Sequence, residues 1–437
     1  MLKNYKEAQK FINDLKRNII SEDKCKTDID GHKIYFGGLN RIKELLRKIN
    51  NPEDNLKIIH VVGTSGKGSV CSWLNYFLSN LGYKTGMFTS PSLITDIERI
   101  SINDQFISPE EFVKNLNVLI PHIKQMKKHF KEGDPSPFEV VTVIAYMYLA
   151  DQKVDYAIIE AGLGGKYDST NATQKSIISV LTSVGEDHTD LLGDIHMIAR
   201  DKASICEKSK KLITAVKEEN ILKDIKEICE RYSSKLIEIK EEDSAALVEY
   251  KPNNIPEKIF LNYVLAIQVL KNIGITAKLS KDDFNNMKLP ARFELFSENP
   301  KVILDGAHNM SKIKILFEYL KLNKLENIVC LFSVFEDKDF EEIIKFVSKK
   351  VSKIIFTQID KRGRKSPGFD KLEKIALENL EDKNIYIEPN NLKAFVLARK
   401  IVEPNETIVV TGSFVHVAKI RELKWDEETI LFKRKAI

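Results

Sequence analysis

One short segment, Gly63-Thr64-Ser65-Gly66-Lys67-Gly68-Ser69, limits what this chain can fold into more than any other feature. It follows an apolar, β-rich run at 57–62. It precedes Val70, Trp73, Leu74, Phe77, Leu78 and Leu81, which recur at helical spacing. Strand, glycine-rich turn and helix in that order belong to a parallel α/β sheet, with the turn at the carboxyl end of its strand. Small side chains let backbone N–H groups turn inward around phosphate oxygens. The following helix offers its positive end, and Lys67 adds a cation. The generic P-loop pattern asks for Ser or Thr directly after the Lys and for Gly at the position of Val61. Neither is present, and a plain glycine-rich turn is the alternative reading.

The rest of the chain keeps the alternation of short strands and amphipathic helices. Strands are expected at 84–89, 155–160 and 176–183, then in a second series at 301–305, 327–333, 352–357, 384–387 and 407–411. Helices are expected at 311–322 and 341–350, and the apolar run 140–150 suits a buried helix, being too short to span a bilayer. Polar residues at 282–288 followed by Leu289-Pro290 mark a boundary, since Pro breaks helices. The 437 residues therefore read as two consecutive α/β domains, 1–289 and 290–437.

Charge and thiols narrow the setting. The 68 Lys and Arg nearly balance 63 Asp and Glu, leaving +5, with no concentrated basic stripe for nucleic acid. The Lys-rich stretch 124–131 reads as a solvated helix face. Cys25, Cys71, Cys206, Cys229 and Cys330 form no C-x-x-C and no even framework, as reduced thiols in the cytoplasm would. Residues 1–14 mix charged and apolar side chains at helical spacing and carry no signal-peptide core. No nucleic acid and no membrane partner is expected.

In open α/β sheets, ligands gather outside the carboxyl ends of the strands. The expected strands of the first domain deliver Thr89-Ser90-Pro91, Glu160 and Glu186-Asp187-His188 there, facing the loop at 63–69. A hydroxyl, a carboxylate and an imidazole around a phosphate loop make a plausible Mg2+ site. Taken singly, Ser90 reads as a turn residue, Glu160 as a strand-end charge and His188 as a core histidine; their coincidence favours a site.

These residues carry a resemblance. The segments are 60–69, Thr89-Ser90-Pro91-Ser92-Leu93, Glu160-Ala161-Gly162-Leu163-Gly164-Gly165 and Asp168-Ser169-Thr170-Asn171. They continue with Asp187-His188-Thr189, Ala199-Arg200-Asp201-Lys202-Ala203 and Asp305-Gly306-Ala307-His308-Asn309. In order and spacing the chain resembles folylpolyglutamate synthase, including its bifunctional dihydrofolate synthase form, within the Mur ligase superfamily. The resemblance implies a P-loop ATPase domain with a parallel sheet, followed by a second Rossmann-like α/β domain that presents the amino acid.

By that resemblance Gly63, Thr64, Ser65, Gly66, Lys67, Gly68 and Ser69 bind ATP, together with Asn262 at the adenine and Arg292 and Asp305 from the second domain. Ser90 and Glu160 hold one Mg2+, His188 a second, and Lys202 serves as a carbamylated metal ligand. The folate positions are Tyr35, Phe36, Ser136, Pro137, Phe138, Glu139, Tyr167, Asp168 and Ser169, and His308 is a nucleotide contact from the second domain. No sequence feature identifies the base for the incoming ammonium, and His308 is the first candidate for it. The implied site lies in an interdomain cleft that closes over ATP. The implied reaction activates a folate or dihydropteroate carboxylate as an acyl phosphate, which L-glutamate attacks to give an amide, ADP and phosphate, in a monomeric enzyme. Ser92 and Ile97 stand where the family has His and Arg, and Lys258-Ile259 where it has His-Gln. Residues 239–256 are short where the family has extra strands, and Ser204-Ile205-Cys206-Glu207 replaces Gly-Ile-Ile-Lys. These departures leave open a related ligase that joins an amino acid to another carboxylate.

Overall fold

The computed structural model describes residues 1–15, 28, 39–129, 134–187, 189–287, 289–361 and 364–435. Tyr35, Phe36 and His188 lie outside the described residues. The chain divides into two compact units. One comprises Met1–Tyr250, Ile259–Asp283 and Lys433–Lys435; the other comprises Lys251–Lys258 and Phe284–Phe432.

The first unit is built on eight strands: β1 (Ile58–Val62), β2 (Thr85–Phe88), β3 (Ile100–Ile102), β4 (Gln105–Phe106), β5 (Tyr156–Glu160), β6 (Ile178–Leu181), β7 (Lys211–Thr214) and β8 (Lys235–Glu238). Their spatial order is β4-β3-β2-β5-β1-β6-β7-β8. Neighbours from β2 through β8 are parallel, and β3 and β4 add an antiparallel edge. All five residues of β1 are buried, the unbroken run of a strand covered on both faces. The chain leaves β1 for β2 on one side and later places β5 and β6 directly against β1. The carboxyl end of β1 is thus a switch point in strand order, where ligands of α/β sheets collect.

Two helices frame that end. Helix Lys67–Asn80 buries Val70, Trp73, Leu74, Phe77 and Leu78 on the face their spacing predicts. Trp73 and Phe77 meet Tyr263 of helix Glu257–Asn272 with ring centroids 5.0 and 5.5 Å apart. The hydroxyls of Tyr76 and Tyr263 both donate to the buried Asp283 carboxylate, at 3.1 and 3.0 Å. This knot fixes the second helix, which carries Asn262, against the first. Helix Pro137–Asp151 buries Val140–Leu149 with few exceptions, as an apolar run without a polar stripe must.

The second unit has β9 (Glu294–Glu298), β10 (Lys301–Leu304), β11 (Ile328–Phe332), β12 (Lys353–Phe356), β13 (Asp360–Lys361), β14 (Arg364–Lys365), β15 (Ile385–Ile387) and β16 (Thr407–Thr411). Six of them form a sheet in the order β15-β12-β11-β16-β10-β9, antiparallel only at β9, while β13 and β14 form a separate ribbon. Helices Met310–Leu322 and Phe340–Ser348 cover it through Ile313, Leu316, Leu320, Ile343, Ile344 and Val347. The expected second series of strands appears here. The strands β3, β4, β7, β8, β9, β13 and β14 were not expected: all are short, and several carry charged residues among the apolar ones.

Residues 239–256 hold helix Glu241–Ala245 and a helical turn at Val248–Tyr250, with no strand. Cys71, Cys206, Cys229 and Cys330 are buried thiols in no disulfide. Cys206 and Cys229, distant in sequence, are neighbours, and the Cys229 thiol together with burial pushes the Cys206 thiol well up. Among the described residues no helix is long and apolar enough to cross a membrane.

Candidate active site

The loop after β1 turns at Gly63 (φ 150°) and Gly66 (φ 88°), and Gly66 caps helix Lys67–Asn80. The left-handed backbone at Gly66 favours glycine, and a side chain there would also collide with Asn262 Oδ1. Asn262 therefore lies directly against the loop. Gly68 and Ser69 are buried in the first helical turn, where backbone amides lack intrahelical partners and attract an anion. The Lys67 ammonium donates to the Gly63 carbonyl at 2.7 Å. Loop and lysine form one preformed turn.

Glu160 ends β5, where it pairs across the ladder with Val61. Its carboxylate is buried, and Oε2 accepts from the Ser90 amide at 3.0 Å. A buried carboxylate beside a hydroxyl residue offers the oxygen donors a hard divalent cation requires. Among the described residues no three His, Cys, Asp or Glu side chains gather in a way that could hold a metal ion. The expected set relies instead on Ser90, Lys202 and His188 alongside Glu160, and His188 lies outside the described residues.

Lys202 sits in helix Ile195–Ala203, buried, with its backbone packed on Gly165. Burial, and next the charge of Lys67, hold its pKa below that of an ordinary lysine. The carboxyl of Asp201 is pushed up by the same burial, and both its oxygens are enclosed without a hydrogen-bond partner. The helix itself is held by Arg200, which pairs with Asp224 and Glu227 at 2.6 Å each. The lowered pKa enlarges the share of neutral amine at Lys202, the form that adds CO2.

The expected folate positions divide by what their atoms already touch. Ser136 and Glu139 form a capping box: Ser136 Oγ accepts from the Glu139 amide, and Glu139 Oε2 accepts from the Ser136 amide, with Pro137 in the first turn. Both Glu139 oxygens also meet the buried Arg41 guanidinium at 3.1 Å. Asp168 is buried and accepts from Leu163 N, Thr170 N and Thr170 Oγ1. Thr170 Oγ1 in turn meets the buried His60 ring at 2.8 Å. The polar atoms of Glu139 and Asp168 are thus engaged within the chain. Tyr167 donates to Asp28 at 2.6 Å, where Lys166 also pairs; Ser169 is half-buried. Phe138 lays its ring against Gly162 and 5.8 Å from that of Phe88.

In the second unit, Asp305 follows β10, buried, accepting from Phe293 N at 3.0 Å and Ala307 N at 2.8 Å. Burial pushes its carboxyl up to about 6. His308 Nδ1 donates to the Gly306 carbonyl at 2.8 Å, and Nε2 accepts from the Lys312 ammonium at 3.1 Å. That pair of bonds sets a neutral imidazole. The Arg292 guanidinium and the His308 ring both lie over Phe414, at 5.3 and 5.7 Å. Lys312 and Phe414 escaped the sequence reading. So did Thr182 and Ser183, although they end an expected strand and the strand-end rule applied to them equally.

Comparison with known proteins supplies the lineage. The Mur ligase middle domain matches residues 61–274, and the Mur ligase glutamate ligase domain matches 291–414. The dihydrofolate synthase/folylpolyglutamate synthase of Bacillus subtilis is 32% identical over 421 residues, covering 89% of this chain and 96% of that protein. The crystal structure of folylpolyglutamate synthase from Thermotoga maritima superposes with a TM-score of 0.77 at 27% identity, covering 96% of both chains. That of Mycobacterium tuberculosis folylpolyglutamate synthase, complexed with ADP and AMPPCP, gives 0.79 at 25% identity over 88% of this chain and 95% of its own. With its two Mur ligase domains and full-length relatives, the chain belongs to the folylpolyglutamate synthase/dihydrofolate synthase family of Mur ligases.

Proposed function

We propose that the chain is an ATP-dependent, ADP-forming ligase that adds L-glutamate to the carboxylate of a folate, and also of dihydropteroate. One observation carries this reading: the phosphate loop with Lys67 lies at the switch point of the sheet, with Glu160 one strand away and the buried Lys202 near enough to feel the charge of Lys67. A carboxylate is a poor electrophile, so its oxygen attacks the γ-phosphorus of ATP and ADP leaves. Lys67 and the loop amides at 63–69 stabilise the charge that develops on the phosphoryl oxygens. The glutamate amine then attacks the acyl carbon, and phosphate departs with the former carboxylate oxygen.

Residues 1–289 are assigned ATP and the pterin, with Asn262 at the adenine, and 290–437 the amino acid. Arg292 and Asp305 contribute to the nucleotide, and His308 is the proposed proton acceptor for the incoming ammonium. Mg2+ would be held by Ser90, Glu160, His188 and the Lys202 carbamate; when bound it neutralises phosphate charge. Phe138, Tyr35 and Phe36 are proposed as apolar walls for the pterin, and Tyr167 and Ser169 as its polar neighbours. A monomer working in the cytoplasm completes the proposal.

The departures at Ser92, Ile97 and Lys258 favour testing a second acceptor class. In the structure Ser92 faces Asp96 at 3.4 Å, and Ile97 is fully buried. The test is ADP release with Mg·ATP and glutamate across a panel of reduced folates, dihydropteroate and unrelated carboxylates. Turnover with a folate or dihydropteroate is expected. Turnover only with another carboxylate would keep the ligase and remove folate.

A further inference from the structure

We infer that Thr182 and Ser183, directly after β6, are positioning residues that shape the phosphate loop and thereby set its affinity for nucleotide. The inference rests on the nucleotide reading of residues 63–69. A phosphate loop must aim its amides at the ligand and keep its carbonyl oxygens away, because a carbonyl dipole directed at a phosphate repels it. The Gly63 carbonyl is held by Lys67 Nζ, and the Gly66 carbonyl accepts from Val70 N at 2.9 Å. The Ser65 carbonyl, between them, is held by two hydroxyls. Thr182 Oγ1 donates to it at 2.5 Å and Ser183 Oγ at 3.0 Å.

The segment after β6 holds the loop at three further points, two of them on Ser183 and one on Gly185. Ser183 Oγ accepts from Ser65 N at 2.9 Å, its carbonyl accepts from Thr64 N at 3.0 Å, and two residues on Gly185 exchanges bonds with Thr64 Oγ1. Shape agrees with the bonding: any side chain on Gly63 would collide with Thr182 Oγ1. The hydroxyls also stand on a fixed base. Val62 pairs with Leu181 in the ladder, and the Thr182 amide donates to the Val62 carbonyl at 2.9 Å. Groups carried on a strand end hold a turn more closely than groups on a mobile loop. Neither hydroxyl needs to touch a ligand; both act through Ser65.

The test compares wild type with Thr182→Val/Ser183→Ala and with Thr182→Ser, reading ADP affinity by calorimetry and steady-state constants for all three substrates. Removing two hydroxyl donors should weaken ADP about tenfold and raise KM for ATP to match. At saturating ATP, kcat should fall with the loop's hold on the phosphoryl group, while the KM values for glutamate and the carboxylate substrate should stay within about twofold. Thr182→Ser, which keeps the hydroxyl, should restore ADP binding. Should the double variant not fold, Ser183→Ala alone is read, since it removes both a donor and an acceptor for Ser65. Unchanged ADP affinity in the variants overturns the inference and leaves the nucleotide reading standing. So does a parallel loss for every ligand that Thr182→Ser fails to restore, which is what a merely structural role predicts. Wild-type protein that binds no ADP overturns both.

Discussion

Replacing Glu139 with Ala should destabilise the first unit strongly while leaving the affinity of the folded protein for its carboxylate substrate nearly intact. Arg41 is 1% exposed and Glu139 3%, and the guanidinium meets the carboxylate through Nε and a terminal nitrogen, each at 3.1 Å. Truncating Glu139 takes both of these bonds from a buried guanidinium, and breaking such a buried pair costs about 3–5 kcal/mol. It also removes one half of the capping box on helix Pro137–Asp151, where a lost cap costs about 1 kcal/mol and overlaps with the first effect. A total near 4 kcal/mol is a large part of the roughly 5–15 kcal/mol that holds a domain folded. It corresponds to a Tm lower by about 10 °C for a unit of this size.

Urea denaturation and calorimetry give the stability, and KM measured well below Tm gives the binding. Glu139→Gln, which keeps an acceptor for the Ser136 amide, should fall between. Arg41→Met/Glu139→Leu should recover most of the loss, because apolar side chains replace a buried pair more readily than they replace half of one. A Glu139→Ala protein with wild-type Tm and a raised KM for the carboxylate substrate alone would refute this reasoning and make Glu139 a ligand contact.

Three other outcomes are expected. Lys202→Ala should lose turnover and regain part of it with added acetate or formate, which can occupy the place of a carbamate; full activity without rescue removes the carbamate. Phe138→Ala should weaken a folate by about 1–3 kcal/mol and ATP far less, whereas equal weakening of both would assign the ring to the core beside Phe88. Glu53 is buried with Oε2 unpartnered, and burial raises its carboxyl to about 7 from 4.5. A raised acid favours its neutral form in the folded state, so its stabilising contribution is complete below about pH 4.5 and disappears as pH rises through 7. Glu53→Gln should therefore raise Tm by about 2–4 °C at pH 8 and leave it unchanged at pH 4, measured by calorimetry; equal shifts at both pH values contradict the assignment.

The sequence made the loop legible because its demands are local. A turn that must pass Gly66 at positive φ and admit Asn262 leaves glycines in a fixed pattern, and a buried strand leaves an apolar run. Ser90 and Glu160 were legible by position, since strand ends converge once the sheet is parallel. The capping box at Ser136 and Glu139 follows a local pattern, Ser-x-x-Glu before an apolar run, which the sequence reading passed over. Its partner Arg41 lies 98 positions away, and no local pattern announces such a pairing. The same holds for Lys312 beside His308, whose helix offers many lysines to choose among. β7 and β8 were hidden because Lys-Leu-Ile-Thr and Lys-Leu-Ile-Glu are too short and too charged to separate from loops.

Activation of the carboxylate by phosphorylation at the loop can be read directly by one isotope measurement. A reduced folate carrying heavy oxygen in its terminal carboxylate is turned over with Mg·ATP and glutamate, and the released phosphate is analysed by mass spectrometry. One heavy oxygen is expected in the inorganic phosphate for each ADP formed and each glutamate added, because phosphate leaves with the oxygen that attacked ATP. Amide product whose accompanying phosphate carries no heavy oxygen would contradict activation by phosphorylation.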